Sequence, residues 1–219
     1  MKIRVGAHSV SGLLQAPPAP VACLVLAHGA GAGMEHPFMA AVADGLSQRQ
    51  IACLRFQFPY MEAGTRRPDR PSLAQATVRA AVAAARELLP AVPFFAGGKS
   101  FGGRMTSLAQ AEAPLPGVRG LVFFGFPLHP AGRPSSERAA HLARIVLPML
   151  FLQGTRDALA EVSQLAPVIA ELAERATLVQ VEGADHSFHV PARSGRSDAD
   201  VLGELLERAA TWMQRVSVA

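Results

Sequence analysis

The sequence contains few residues of the reactive and aromatic types: two cysteines, one tryptophan and one tyrosine in 219 residues. Cys23 and Cys53 each fall inside an apolar, strand-like run. Buried reduced thiols are therefore expected rather than a disulfide, and no cysteine spacing suits a metal. Charge is sparse as well. Only 17% of residues are charged while 50% are hydrophobic, which excludes a disordered chain. Lysine is almost missing, since Lys2 and Lys99 are the only two among 21 basic residues. The formal net charge of +4 and the pI of about 9.8 come from arginines scattered between Arg4 and Arg215. Without a dense basic stripe interleaved with aromatics, no nucleic-acid partner is expected. No apolar run reaches the roughly 18 residues of a membrane span. The start, Met1-Lys2-Ile3-Arg4-Val5-Gly6-Ala7-His8, lacks the apolar segment of a signal peptide. A cytoplasmic protein with no membrane partner is the expectation.

A chain of this length forms one domain, taken as residues 1–219, and hides roughly 70% of its unfolded surface. Short apolar runs alternate with helical stretches and show no internal repeat. The runs are Val21–Ala27, Ile51–Phe56, Val92–Gly97, Gly120–Phe124, Leu147–Leu152 and Ala176–Val181. Several are apolar at successive positions, as strands covered on both faces are. The predicted fold class is α/β, a three-layer α/β/α sandwich around a mostly parallel sheet. A weak extra strand or hairpin is expected between Lys2 and Leu14. Helices are predicted over Phe38–Arg49, over Leu73–Leu89 with Ser72 as its N-cap, and over Ser100–Ala111, Leu159–Glu174 and Asp198–Arg215. Pro59–Pro71 and Gly125–Ser136 are read as loops.

The strongest local signal is Gly98-Lys99-Ser100-Phe101-Gly102-Gly103. It has the form G-x-S-x-G and lies between a predicted strand and a predicted helix, the context of a nucleophile elbow. The turn leaves little room beside the serine, hence Gly98 and Gly102. It projects the Ser100 hydroxyl above the sheet and sets the Phe101 amide at a helix start. A hydroxyl needs a base within hydrogen-bond reach to become a nucleophile. The partners follow in the order serine, acid, histidine. Asp157 lies just beyond the strand Leu147–Leu152, and His186 lies just beyond Ala176–Val181. All three then share the edge outside the carboxyl ends of parallel strands. His189 competes with His186, and Asp185 or Glu182 competes with Asp157; Asp185 suits a loop-shaping role better. An oxyanion site is expected at the end of the first main strand, in Ala27-His28-Gly29-Ala30-Gly31-Ala32-Gly33-Met34. Ala30 is its leading donor, beside Phe101, with Gly29 and Gly31 one register away. The glycine run has neither the phosphate-loop pattern nor a dinucleotide fingerprint.

These segments resemble the α/β-hydrolase superfamily, over nearly the whole chain from Val21 to Arg215. More narrowly, the chain looks like the small hydrolases grouped near dienelactone hydrolase and related to testis-expressed protein 30. The resemblance rests on Leu26–Gly31, Arg55–Met61, Gly98–Met105, Gly125–Pro130, Gln153–Asp157 and Ala184–Phe188. It implies Ser100 as nucleophile, His186 as base and Asp157 as acid. Dienelactone hydrolases themselves use cysteine, so Ser100 argues against that particular activity.

The expected reaction is hydrolysis of a small-molecule ester or thioester through an acyl-enzyme, with no cofactor and no metal. Gly125–Leu147 is too short for a helical cap domain, so a site that is open or covered only by loops is expected. Met34, Tyr60, Phe126 and His129 are the leading candidate pocket residues, and His36, Phe38, Met61, Leu128, Leu159 and Phe188 lie in loops that could line the same apolar pocket. Arg66 and Arg67 are read as a solvated pair that would at most steer an anionic substrate. Two other readings stay open. One is a non-enzymatic interaction module on the same scaffold. The other is an amidase, a peptidase or a carbon–carbon hydrolase with the same three residues. Oligomeric state is not legible.

Overall fold

A computed structural model describes residues 1–218. Eight strands form one sheet in the order β1-β2-β4-β3-β5-β6-β7-β8. They are β1 Lys2–Val5, β2 His8–Gln15, β3 Ala22–Ala27, β4 Ile51–Phe56, β5 Phe94–Lys99, β6 Val118–Phe124, β7 Met149–Gly154 and β8 Ala176–Val181. β1 and β2 form the expected N-terminal hairpin, and β2 joins β4 antiparallel. All other pairings are parallel.

Among the described residues, six α-helices complete the layers: α1 Pro37–Ser47, α2 Pro59–Glu62, α3 Pro71–Leu88, α4 Phe101–Glu112, α5 Val162–Leu172 and α6 Asp198–Val218. The period-2 geometry of a strand sends alternate residues to opposite faces. In β3, Cys23, Val25 and Ala27 join the core under α3, α4 and α5, while Ala22, Leu24 and Leu26 join the core under α1 and α6. Hence β3 is apolar at every position, and so is most of β4 and β7. The alanine face of α3 (Ala74, Ala81 and Ala85) packs into the first core. Trp212 of α6 anchors the second, edge-on to Phe95 with ring centroids 5.8 Å apart.

Several boundaries differ from the sequence reading. β5 starts at Phe94 rather than Val92 because Pro93 has no N–H to enter the ladder. It runs on to Lys99, so Ser100 is the first residue past the strand. α3 begins two residues earlier than a Ser72 cap requires: Arg70 occupies the cap position and Pro71 the first helical one. Proline's preset φ suits that position. α5 begins at Val162 rather than Leu159, because Asp157–Ala160 is folded as a turn. Pro59–Glu62, inside the expected Pro59–Pro71 loop, is the short helix α2. Gly125–Ser136 is irregular, and a 3₁₀ segment, Glu137–Arg144, follows it. Cys23 and Cys53 are buried and free, and burial pushes the Cys23 thiol up to about 12. Among the described residues no helix is long and apolar enough to cross a membrane.

Candidate active site

Four loops meet outside the carboxyl ends of β3, β5, β7 and β8. The β5–α4 turn carries Ser100. Its backbone sits at φ 50°, ψ −114°, a conformation rare for a residue with a side chain. The turn is held shut from both sides. A Cβ on Gly98 would lie 2.5 Å from the Ala27 carbonyl oxygen, and one on Gly102 would lie 2.4 Å from it. β3 and the start of α4 approach too closely there for any side chain, as the sequence reading requires.

His186, in the loop after β8, lies with Nε2 2.8 Å from the Ser100 hydroxyl. Its Nδ1 lies 2.6 Å from Asp157 Oδ2. With Asp157 ionised, Nδ1–H donates to the carboxylate and Nε2 is left to accept from the serine. Asp157 is buried in the turn after β7. The same Oδ2 accepts from the Gln153 side-chain amide, and Oδ1 accepts from the Leu159 N–H at 2.8 Å. Gln153 also accepts from the Phe126 N–H at 2.9 Å, so the end of β7 is tied to the loop after β6.

The competing residues lie elsewhere. Asp185 Oδ1 accepts from the Ser187 and His189 N–H groups and shapes its own loop. His189 is exposed and pairs with Asp198 at 2.8 Å. Glu182 is exposed.

The loop after β3 is fixed from behind. His28 is fully buried. Its Nε2 accepts from the Phe58 N–H at 3.1 Å, so the proton is on Nδ1, which donates to the Gly29 carbonyl at 2.8 Å. Burial holds this imidazole down at about 4 and keeps it neutral. The Tyr60 hydroxyl donates to the Ala30 carbonyl at 2.9 Å. In a trans peptide the N–H points opposite to the C=O. The Gly29 carbonyl faces His28, so the Ala30 N–H faces the other way. Phe101 is the first residue of α4, whose N–H has no partner within the helix.

A cleft of about 370 Å³ opens over Ser100 and His186. Ala30, Phe38, Lys99 and Leu159 help line it, together with His36 and Ser187. Of the further loop candidates, His36, Phe38 and Leu159 line it, whereas Leu128 and Phe188 are buried and Met61 packs against the core. The four leading pocket candidates do not line it. Phe126 and Met34 are buried in the core, and Met34 is held there by backbone bonds to Gln57 and Arg55. Tyr60 backs the loop after β3 rather than facing the cleft. His129 is buried against Glu161 Oε2 at 2.5 Å, with Nδ1 2.9 Å from the Pro130 carbonyl, and so fixes its own loop. Arg66 and Arg67 are exposed. The sequence reading passed over Gln153 and Lys99. The signals were a polar residue closing an apolar strand and a lone lysine beside the serine.

The model of the family described as alpha/beta hydrolase domain matches residues 20–214. Among solved structures, a dienelactone hydrolase from Anabaena variabilis superposes with a TM-score of 0.80 at 21% identity, over 98% of this chain and 95% of that one. A lid-less α/β serine hydrolase from Xanthomonas campestris gives 0.77 at 21% identity, over 97% and 93%. Est1E from Butyrivibrio proteoclasticus, solved with ferulic acid bound, gives 0.73 at 16% identity, over 96% and 99%. The family match over most of the chain, on a sheet of this order, makes this protein a member of the α/β-hydrolase family.

Proposed function

We propose that this α/β hydrolase is a serine esterase or thioesterase acting on small acyl substrates. One observation carries the reading: an unbroken hydrogen-bonded chain from buried Asp157 through His186 to a Ser100 hydroxyl that opens into a solvent-accessible cleft. Ser100 Oγ attacks the carbonyl carbon and passes its proton to His186 Nε2. The carbonyl π pair moves onto oxygen, where the Ala30 and Phe101 N–H groups receive it. Removing one such donor typically costs about 100- to 1000-fold in rate. The intermediate collapses, the bond to the leaving alcohol or thiol breaks, and His186 returns the proton to the leaving atom. Water then attacks the acyl-serine with His186 again as base, releasing the acid and regenerating Ser100. Asp157 holds the imidazole tautomer throughout and stabilises its charged form.

The test is a panel of short-chain p-nitrophenyl esters and thioesters run with wild type and Ser100→Ala. Turnover in wild type and its loss in the folded variant support the reading. Folded wild type that hydrolyses none of them contradicts it and favours an interaction module. Equal turnover by both proteins also contradicts it, because it moves the chemistry away from Ser100.

A further inference from the structure

The mechanism above leaves one charged group at the cleft unused. Lys99 closes β5, immediately before Ser100, in a chain that otherwise uses arginine for nearly every cation. Its side chain is partly buried and lines the cleft. The ammonium lies over the rings of Phe188 and Phe38, at 5.1 and 6.0 Å from their centroids. It donates a hydrogen bond to the backbone carbonyl of His186. The fit is close: a Cβ on Gly125 would lie 2.9 Å from Nζ and 3.4 Å from the His186 ring.

This bond matters because of where the two loops originate. β5 and β8 are separated in the sheet by β6 and β7. The loop of His186 is tied firmly to that of Asp157: Arg156 N–H donates to the Ala184 carbonyl at 2.9 Å, and Gly183 N–H to Thr155 Oγ1 at 2.8 Å. Between the His186 loop and β5 with the Ser100 turn that follows it, the described residues make only two hydrogen bonds. One is the His186–Ser100 contact itself, which breaks and re-forms as the proton moves. The other is Lys99 to the His186 carbonyl.

Resting on the serine-hydrolase reading above, we infer that Lys99 is a positioning residue that clamps the His186 loop to the nucleophile strand, acting through the His186 backbone and not on the substrate. The groups that act on its charge are Asp157 and Asp185, while His186 and His36 share the cleft with it. Burial pulls the Lys99 ammonium down to about 8, with Asp157 and Asp185 opposing the drop. Above that pH the amine still donates, but as a neutral group, and neutral hydrogen bonds are roughly half as strong as charge-assisted ones. The clamp therefore loosens as pH rises through about 8.

The experiment measures kcat and KM for p-nitrophenyl acetate from about pH 6 to about pH 10, with wild type, Lys99→Met and Ser100→Ala, and records each protein's melting temperature. Methionine keeps the length and the apolar stem and removes the donor. The clamp predicts that kcat at neutral pH falls about tenfold in Lys99→Met, the scale of one charge-assisted bond. KM stays within about twofold, the melting temperature stays within about 3 °C, and the decline in kcat that the clamp predicts near pH 8 for wild type is absent from the variant. Wild-type kcat in Lys99→Met overturns the clamp while leaving Ser100-dependent hydrolysis, and so the serine-hydrolase reading, intact. A rise in KM at unchanged kcat also overturns it, because Lys99 then binds substrate. If the variant does not fold, or melts more than about 6 °C lower, the wild-type profile decides: kcat constant from about pH 7 to about pH 10 in folded protein overturns the clamp, and a decline near pH 8 supports it. Absence of Ser100-dependent hydrolysis in wild type overturns the serine-hydrolase reading and the clamp with it.

Discussion

At the residue scale the site is a set of polar groups whose partners leave each one a single orientation. Asp157 accepts from His186, Gln153 and the Leu159 amide, so its buried carboxylate is fixed in one orientation. Asp157→Asn keeps the shape but removes the acceptor that selects the His186 tautomer. Turnover is expected to fall about 10⁴-fold with the fold retained; near-normal turnover in a steady-state assay would place the acid elsewhere. Gln153→Leu removes one donor to Asp157 and leaves the Phe126 amide unpaired. It is expected to lower kcat about tenfold, the effect of about one hydrogen bond, and to lower the melting temperature. Unchanged kcat in that variant would mean that His186 and Leu159 alone hold Asp157.

Buried histidines set the acid behaviour. His28 and His141 are both held down at about 4, chiefly by burial, with Arg104 and Arg144 adding repulsion at His141. Each group's folded value lies below its ordinary 6.5, so the unfolded chain binds the proton first as pH falls. The stability each contributes is present above about pH 6.5 and is lost as pH falls toward about 4. In His141→Leu, the Ser107 hydroxyl still donates to the Arg104 carbonyl at 2.9 Å. That variant should therefore lose less melting temperature than wild type between neutral pH and about pH 4.5. An equal loss in scanning calorimetry would remove His141 from the account. Lys99 has a stability trend of the same sign, in a higher pH window. Its lowered value means that folding sheds a proton between about pH 8 and 10.5, so its contribution to stability rises with pH over the window in which the clamp weakens.

At the scale of elements, the close approach of β3 to the start of α4 makes the elbow possible. Gly102→Ala places a Cβ 2.4 Å from a backbone oxygen, with no flexible side chain to yield. A destabilisation of about 2 kcal/mol or more is expected, read as a melting temperature lower by roughly 5 °C or more. Gly203→Ala in α6 meets nothing within 4 Å, so the gain in helix propensity should raise the melting temperature by roughly 2 °C. Equal effects of the two substitutions would contradict the packing described here. These elements were legible to different degrees. The alternation of apolar runs and helical stretches is set locally, so Ile51–Phe56 and Ala176–Val181 agree with the structure to the residue. Helix starts depend on chain geometry that spacing does not encode. Ser72 has the chemistry of a cap, but Pro71 sets the first turn.

At the scale of the whole molecule, the connection from β6 to β7 holds no helical cap among the described residues. The segment between β6 and β7 holds only irregular chain and one 3₁₀ stretch. An accessible cleft of about 370 Å³ is expected to turn over acetate and butyrate esters faster than long-chain esters, with no activation by a lipid surface. A rate that rises with chain length and with micelles would point to an unrecognised lid. Ser100, Asp157 and His186 could be grouped from the sequence because each lies in the turn or loop after a strand, and the loops after parallel strands share one edge. The pocket could not be read this way. Met34, Tyr60, Phe126 and His129 lie in the right loops, but whether a loop side chain turns into the cleft or into the core is decided by packing. Phe126, for instance, is drawn into the core against Phe123 and Phe151.

The most direct test of the central claim is labelling by a fluorophosphonate, which reacts with a serine only when a base activates it. After trypsin, cleavage following Lys99 and Arg104 isolates Ser100–Arg104 as its own fragment. The account predicts that mass spectrometry finds the phosphonyl adduct on that fragment in wild type, and that Ser100→Ala and His186→Ala, both folded, carry none. An adduct on any other serine, or equal labelling of the His186→Ala protein, would contradict it.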